Sequence, residues 1–273
     1  VLHLMYARFW HKVLFDLGFV TTPEPFMKLR HQGIILGENS KKMSKSLGNV
    51  VNPDDVVKEY GADALRLFEM FMGPLEEMKP WSTKGVEGVF RFLGRVWRLF
   101  VNEDGSINAK ITAALPTADF ERSFHQTVKK LTEDIPALRF NTAIAQMMIF
   151  VNEAYKAEQL PKTIMENFVV MLSAFAPHIA EEIWSTLGKK QSIFSSAQWP
   201  AFDEAKTANN EVTIVAQVNG KIRAKINVAV DTPEAQLREL AFAEPNMKVH
   251  LDGKQIVKEI IVKNKLVNIV VKG

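Results

Sequence analysis

The hydrophobic period of this chain changes along its length, so no single layer of structure can bury all of it. Val86, Val89, Phe90, Leu93, Val96, Trp97 and Phe100 recur at helical spacing, which predicts one apolar helix face. Similar patterns run through 118–134, 138–158 and 162–187, with Leu160-Pro161 breaking between the last two. From Val212 the period is two: Val212, Ile214, Ala216 and Val218 alternate, Asn219-Gly220 is a type I′ hairpin signal, and Ile222 to Val230 returns. Thr232-Pro233-Glu234 predicts a helix to about residue 242 with Thr232 as its cap, and strands near 256–262 and 265–271 close the chain. A helix stripe packs against helices, whereas an alternating strand needs a sheet. The middle therefore reads as an α-helical bundle over 76–205 and the end as a small α+β domain over 210–273. Ser192 to Asn210 is poorly patterned and reads as a linker wrapping the bundle, with Trp199 as an anchor.

Residues 1–75 mix the two periods. Leu2, Tyr6, Phe9, Trp10, Val13, Leu14 and Leu17 form a helical pattern that Gly18 ends. Gln32 to Gly37 is short, apolar and bounded by glycines, which predicts a buried strand. Downstream, Asn52 suits an N-cap, Pro53 suits the first helical position, and Asp54 and Asp55 complement the positive helix end. Gly61 ends that helix, and another runs to Gly73-Pro74. A strand between helices fits the end of an α/β, Rossmann-like domain, where ligands sit at the strand's carboxyl end. There lies Lys42-Met43-Ser44-Lys45-Ser46. Two lysines and two hydroxyls on a short loop pinned at both ends can hold polyphosphate, because an ammonium is a point-charge partner for a phosphate oxygen.

Composition excludes several classes of function. The chain has 273 residues, of which 47% are apolar, enough for two or three ordinary cores. It has no cysteine, which rules out disulfides and thiolate-ligated metals, and no His, Asp and Glu cluster at metal-ligand spacing is apparent. No apolar run approaches the roughly 20 residues that span a bilayer, and no signal peptide is visible, so a cytoplasmic location is expected. The net charge is only +3. Residues 1–60 carry 8 basic and 6 acidic groups, 61–209 carry 16 and 18, and 210–273 carry 10 and 7, so any polyanion footprint is local.

Lys42 to Ser46 with Leu47-Gly48-Asn49-Val50-Val51-Asn52-Pro53 resembles the KMSKS signature of class I aminoacyl-tRNA synthetases, and Gly61-Ala62-Asp63-Ala64-Leu65-Arg66-Leu67-Phe68 is similar to their next helix. Leu2 to Lys12 resembles the leucyl enzymes just after their editing domain. Val215 to Arg223 and the ending Val262 to Val270 look like the last domain of the bacterial leucyl enzymes, and Ala174 to Trp184 resembles a helix of the anticodon-reading domain. The resemblance spans essentially the whole chain. No His-Ile-Gly-His-type motif occurs, no insertion resembles an editing domain, and Val1 falls within the expected first helix without an initiator Met. The chain is therefore expected to be the C-terminal part of a larger enzyme and to hold half of its active site. Only Glu38-Asn39-Ser40-Lys41 separates the strand from the loop, where some bacterial leucyl enzymes carry an extra domain.

The resemblance implies ATP-dependent activation of leucine and its transfer to leucine tRNA, with MgATP as substrate and no tightly bound cofactor or resident metal. It implies Lys45 as the main ligand of the departing pyrophosphate and Lys42 as its support, both catalytic. Met43, Ser44 and Ser46 complete the ATP-facing loop. Met43 is expected to pack it, while the two serines either donate to ligand or only hold the loop. The backbone at Ile34 and Ile35 faces the adenine or is only a strand. His3, by family position, lies on the leucine or adenylate side of the pocket, although a histidine on an apolar helix is more often a core group. Arg91, Arg95 and Arg98 fall at i, i+4 and i+7, opposite Phe90, Leu93 and Trp97, and read either as a solvated face or as a tRNA-backbone stripe. Lys221, Arg223 and Lys225 alternate along the hairpin, with Ile222, Ala224 and Ile226 on its other side, and form a second tRNA-binding candidate. The expected partners are leucine tRNA and, in the intact enzyme, ATP and leucine, with no membrane and a monomeric state. The competing reading is a stand-alone tRNA-binding fragment without catalysis. A free-standing phosphoryl-transfer enzyme is disfavoured by the lack of a Walker-type loop.

Overall fold

The computed structural model describes residues 2–208 and 211–272, with only the main chain of Glu211. Val1, where the first helix was expected to be under way, and the Asn210 end of the expected linker lie outside the described residues. Helix α1 (Leu2–Asp16) precedes strand β1 (Ile35–Leu36), a 3₁₀ turn at Lys45–Leu47, and helices α2 (Pro53–Tyr60) and α3 (Ala62–Phe71). Strand β2 (Lys79–Pro80) leads into α4 (Thr83–Phe100), β3 (Ile111–Thr112), α5 (Ala118–Asp134) and α6 (Phe140–Lys156). Strand β4 (Leu160–Pro161), α7 (Lys162–Ser173), α8 (Pro177–Thr186) and the short α9 (Ile193–Ser196) follow. The chain ends with β5 (Glu211–Val218), β6 (Lys221–Ala229), α10 (Glu234–Ala243), α11 (Pro245–Leu251), β7 (Gln255–Val262) and β8 (Leu266–Lys272). Two compact units result: Val1–Leu115 with Thr127–Pro200, and Pro116–Gln126 with Ala201–Gly273. The lysine loop thus shares a unit with most of the helical region, where the sequence predicts a border at 75–76.

The bundle helices of the first unit form because each has an apolar face to bury. On α4, Val86, Val89, Phe92, Leu93, Val96, Leu99 and Phe100 are buried. Phe150 of α6 stacks on Phe168 of α7 at 4.8 Å between ring centroids, and both are fully buried. Helix α3 packs against α2, α4, α6 and α8, so it touches both the loop segment and the bundle.

Helix α3 also completes α8. The residue before α8 is Ala176, which has no side-chain acceptor, and Pro177 occupies the first helical turn. The missing cap is supplied from α3. Asp63 Oδ2 accepts from Ile179 N at 2.7 Å and Oδ1 from His178 N at 3.3 Å, while His178 Nδ1 lies 2.8 Å from Oδ1. A carboxylate there satisfies two orphan amides and complements the helix dipole. One turn later, Arg66 Nε donates to Phe175 O at 3.4 Å.

Two sequence-derived expectations need correction in this unit. The pattern over 162–187 predicts one helix, but Ala174–Ala176 separates α7 from α8, because proline has no amide to continue α7 and starts α8 instead. The buried strand expected over 32–37 reduces to two half-buried residues, Ile35 and Leu36, parallel to Lys79 and Pro80. Gly33 N donates to Leu75 O at 2.8 Å and Trp81 N to Leu36 O at 2.8 Å, so the pairing extends a little beyond that strand. Helix α1 forms as expected, yet none of its residues is buried. It is held through Glu24, which accepts from Arg8 at 2.7 and 2.8 Å and lies 3.3 Å from Lys12. The linker's Trp199 does anchor, donating from Nε1 to Thr132 Oγ1 at 2.9 Å.

In the second unit, the sheet order β6-β5-β8-β7 places two antiparallel hairpins side by side, with β5 and β8 parallel at the centre. Ile214, Ala216, Val218, Ile226, Val228, Val267, Ile269 and Val271 pack with Leu237, Ala241 and Met247 of α10 and α11. Asn219 and Gly220 both take positive φ, 50° and 76°, as a type I′ turn requires. Thr232 does not cap α10; its hydroxyl donates to Ala229 O at 2.6 Å, and Pro233 is the boundary residue.

The α3–α8 junction is expected to resist change unequally. Asp63→Ala should lower the stability of this unit by about 2 kcal/mol, because it uncaps a helix and strands two amides, whereas Asp63→Asn should cost roughly half as much. Chemical denaturation followed by helical circular dichroism measures both.

A pH dependence follows from Asp134, whose fully buried carboxylate accepts from Thr142 Oγ1 at 2.5 Å and Arg139 Nε at 2.7 Å and lies 3.0 Å from Lys130 Nζ. Burial opposes its charge, but hydrogen bonds from Thr142, Arg139 and Lys130 outweigh burial and hold the carboxyl below its ordinary value. A depressed carboxyl stabilises the fold above its unfolded pKa of about 3.9, and that contribution is lost as pH falls through the folded value. Asp134→Asn should therefore flatten the decline in thermal midpoint on acidification below about pH 4.

Candidate functional site

The lysine loop is built around Asn49. Its Oδ1 accepts from Ser44 N at 2.9 Å, and its Nδ2 donates to Asn39 Oδ1 at 3.1 Å, Lys42 O at 3.3 Å and Lys41 O at 3.4 Å. One side chain thus ties the main chain before, within and after the loop. Gly37 makes that closure possible: a Cβ there would lie 2.8 Å from Asn49 Nδ2 and 3.0 Å from Asn49 O. Gly37 N also donates to Lys41 O at 2.9 Å, and Leu36 bridges Lys42 in antiparallel fashion. Ser44 caps the 3₁₀ turn by accepting from Leu47 N at 3.3 Å, and its hydroxyl lies 3.1 Å from that of Ser46. Both serines therefore hold the loop. Met43 is half-buried.

Lys42 and Lys45 are exposed and make no side-chain hydrogen bond or ion pair among the described residues. The nearest acid in sequence, Glu38, is committed elsewhere. Its Oε1 accepts from Thr83 Oγ1 at 2.8 Å and Thr83 N at 3.1 Å, and these hydrogen bonds hold its carboxyl below the ordinary range. Downstream, Asn52 accepts from Asp54 N at 3.2 Å and Pro53 starts α2, as the sequence predicts. The outcome is a rigid main chain carrying two free ammonium groups, which is suited to an anionic ligand.

The other expected residues are dispersed. Ile34 is 48% exposed, while Ile35 opens with Gln32, Arg30, Glu69 and Lys79 onto a cleft of about 460 Å³. Gly33 is needed for packing: a Cβ would lie 1.8 Å from Glu77 O. His3 is exposed on α1 and has no polar partner among the described residues. His11, read as structural, lies 2.7 Å from Thr22 O through Nε2.

The three arginines of α4 are engaged differently. Arg91 lies 3.8 Å from Glu87, and Arg95 donates to Asn152 Oδ1 at 2.8 Å and stacks over Tyr155. Arg98 lines a groove together with Phe90, Leu93 and Trp97. The sequence places Phe90 on the core face, but it is 47% exposed.

On the hairpin the expected alternation fails. A β-bulge shifts the register, so that Ala224 opposes Ala216 while Ile222 opposes Gln217. Ile222 and Ala224 therefore lie on opposite faces, and Ile222 is 58% exposed. Lys221, Arg223 and Lys225 do not form one basic face. The Arg223 Nε is buried without a hydrogen-bond partner, and burial, Arg223 and Lys254 together push His250 below its ordinary pKa.

Sequence reasoning missed Asn49, Glu38 and the pairing of Asp63 with His178. Each acts across a sequence separation that periodicity does not encode.

Comparison with known proteins agrees with this architecture. A family model described as tRNA synthetases class I (I, L, M and V) matches residues 5–79, and one described as anticodon-binding domain of tRNA ligase matches residues 118–239. The chain thus carries a class I tRNA-synthetase domain and a tRNA-ligase anticodon-binding domain. The second match runs across the border expected at 205–210 and takes in the hairpin. Among solved structures, the agnB2 leucyl-tRNA synthetase of Agrobacterium radiobacter K84, in a ternary complex with tRNA and LeuAMS, is similar over 100% of this chain at 29% identity with a TM-score of 0.64. This chain spans 37% of the length of that one.

Removing the hub should loosen the loop without unfolding the unit. Asn49→Ala is expected to cost on the order of 1 kcal/mol locally, seen as about fivefold faster amide exchange at Ser44 with little change at α4.

Proposed function

We propose that this chain is the C-terminal region of a leucine–tRNA ligase, contributing a lysine loop to ATP-dependent leucine activation and helical and α+β domains to binding of leucine tRNA. The observation that carries this reading is the loop itself: two unpaired ammonium groups on a main chain fixed by Asn49, Ser44 and Gly37. Activation expels pyrophosphate, and negative charge accumulates on it as the bond to the α-phosphorus breaks. Fixed cations stabilise such charge without having to reorganise. Lys45, at the start of the 3₁₀ turn, is assigned the main contact and Lys42 the supporting one, with MgATP as substrate. Ile34 and Ile35 stand on the strand that delivers the loop, and His3 is assigned to the leucine side. Ser44 and Ser46, already bonded to the loop, are assigned to positioning it.

Arg91, Arg95, Arg98, Lys221, Arg223 and Lys225 are assigned to tRNA. The two family matches and the tRNA-bound leucyl-tRNA synthetase support that partner. No described helix is long and apolar enough to cross a membrane. Cytoplasmic location and a monomeric state complete the proposal. A second reading is a tRNA-binding module without catalysis of its own, supported by the anticodon-binding-domain match over residues 118–239.

The test uses the enzyme that contains this chain. Lys45→Ala should lower ATP–pyrophosphate exchange by about 100-fold, or about 3 kcal/mol of barrier, and leave the leucine dissociation constant within about twofold. Near-normal exchange would refute the assignment of Lys45. Salt-dependent retention of leucine tRNA by this chain alone, with no exchange activity, would favour the binding-module reading.

A further inference from the structure

A groove of about 500 Å³ in the first unit is lined by Tyr60, Phe90, Trp97, Arg98 and His178, with Gly94 in its wall. Phe90 is 47% exposed and meets Tyr60 edge-on at 5.8 Å between centroids, so an aromatic corner stays open to solvent. Two neighbouring acids are engaged: Glu87 lies 3.8 Å from Arg91, and Asp63 caps α8.

Two polar groups beside the rings are available. Arg98 is exposed and makes no ion pair among the described residues, and a Cβ on Gly94 would lie 3.6 Å from its Nη1. His178 holds Asp63 Oδ1 at 2.8 Å through Nδ1, and 73% of its side chain is exposed. With Nδ1 on the carboxylate, Nε2 is the ring nitrogen left to hydrogen-bond a ligand. We propose that this groove takes one unpaired ribonucleotide, its base stacked on Phe90 and Tyr60, its phosphate at Arg98 and its ribose hydroxyl hydrogen-bonded to His178 Nε2. The proposal rests on the tRNA reading above and adds a particular subsite to it. Every base has a π-face, so an aromatic corner binds bases regardless of sequence, and an adjacent guanidinium neutralises the phosphate. The 2′-hydroxyl contact distinguishes RNA from DNA.

The experiment titrates the full chain with the hexaribonucleotide of adenosine, with its deoxy counterpart and with whole tRNA, following tryptophan fluorescence and repeating each titration at several salt concentrations. The ribo-oligomer should quench fluorescence and bind at least about threefold more tightly than the deoxy form. Gly94→Leu fills the groove without a main-chain clash, and because leucine favours helix over glycine it should keep or raise the melting temperature while weakening the hexamer about tenfold. Phe90→Ala should weaken it similarly, and Arg98→Gln should reduce the slope of affinity against salt by about one ion. Hexamer affinity unchanged in both Gly94→Leu and Phe90→Ala would overturn the subsite. Binding of tRNA without binding of the hexamer would also overturn it, while leaving the tRNA reading intact. Uptake of anilinonaphthalene sulfonate but no hexamer would mark a site for apolar small molecules and equally overturn it. If the chain bound neither tRNA nor hexamer, the tRNA reading itself would fall and the subsite with it.

Discussion

The first unit depends on a carboxylate placed where a helix lacks its own cap. Helix α8 begins Ala176-Pro177, which supplies neither a side-chain acceptor nor a free amide at the first position. Asp63, 8% exposed on α3, fills that role and grips the His178 ring as well. Because α3 also packs on α2, α4 and α6, this contact fixes α8 relative to the segment that carries the lysine loop. Arg66 at Phe175 O gives the junction a second point of attachment, so rotation about the first is opposed. An ion–amide contact of this kind is directional, whereas apolar packing alone would tolerate sliding.

The loop follows the same economy. Its order comes from neutral donors and acceptors, Asn49, Ser44 and Asn39, and its two lysines take no part in it. Had Glu38 reached the lysines, their charge would be spent within the fold; its bonds to Thr83 direct it to the start of α4 instead. The same contact joins the strand end to the helix that carries Arg91, Arg95 and Arg98. A cation is useful to a polyanion only while unpaired, and here the main chain is stiff while the charge remains free.

Long periodic elements were legible in the sequence. The helix over 118–134, the capped helix beginning at Pro53 and the hairpin turn at Asn219-Gly220 form as their residues require. Errors arose where one residue's place depends on a distant partner. The bulge that turns Ile222 outward is set by pairing with Gln217 and is invisible in a strict period of two. Phe90 fits the apolar face of α4 by spacing, but Tyr60 at the end of α2 meets it edge-on and leaves it 47% exposed. Helix α11 went unforeseen because its seven residues are too few to display a period. The motif in the lysine loop was legible as chemistry, while its hub at Asn49 looked like an ordinary polar residue beside a glycine.

Local sequence by itself thus determined where helices and strands form, which residues cap α2, and that Lys42 and Lys45 sit on one short loop. Those outcomes depend on backbone propensity and hydrophobic period, which act over a few residues. Tertiary structure alone decided which ends those elements present to one another: Asp63 at α8, Glu38 at α4, Gly37 under Asn49, and a rim of rings and a guanidinium around Gly94. The first three contacts join residues 115, 45 and 12 positions apart. Their energy depends on ångström-scale distance and on burial, neither of which is set until the chain has packed.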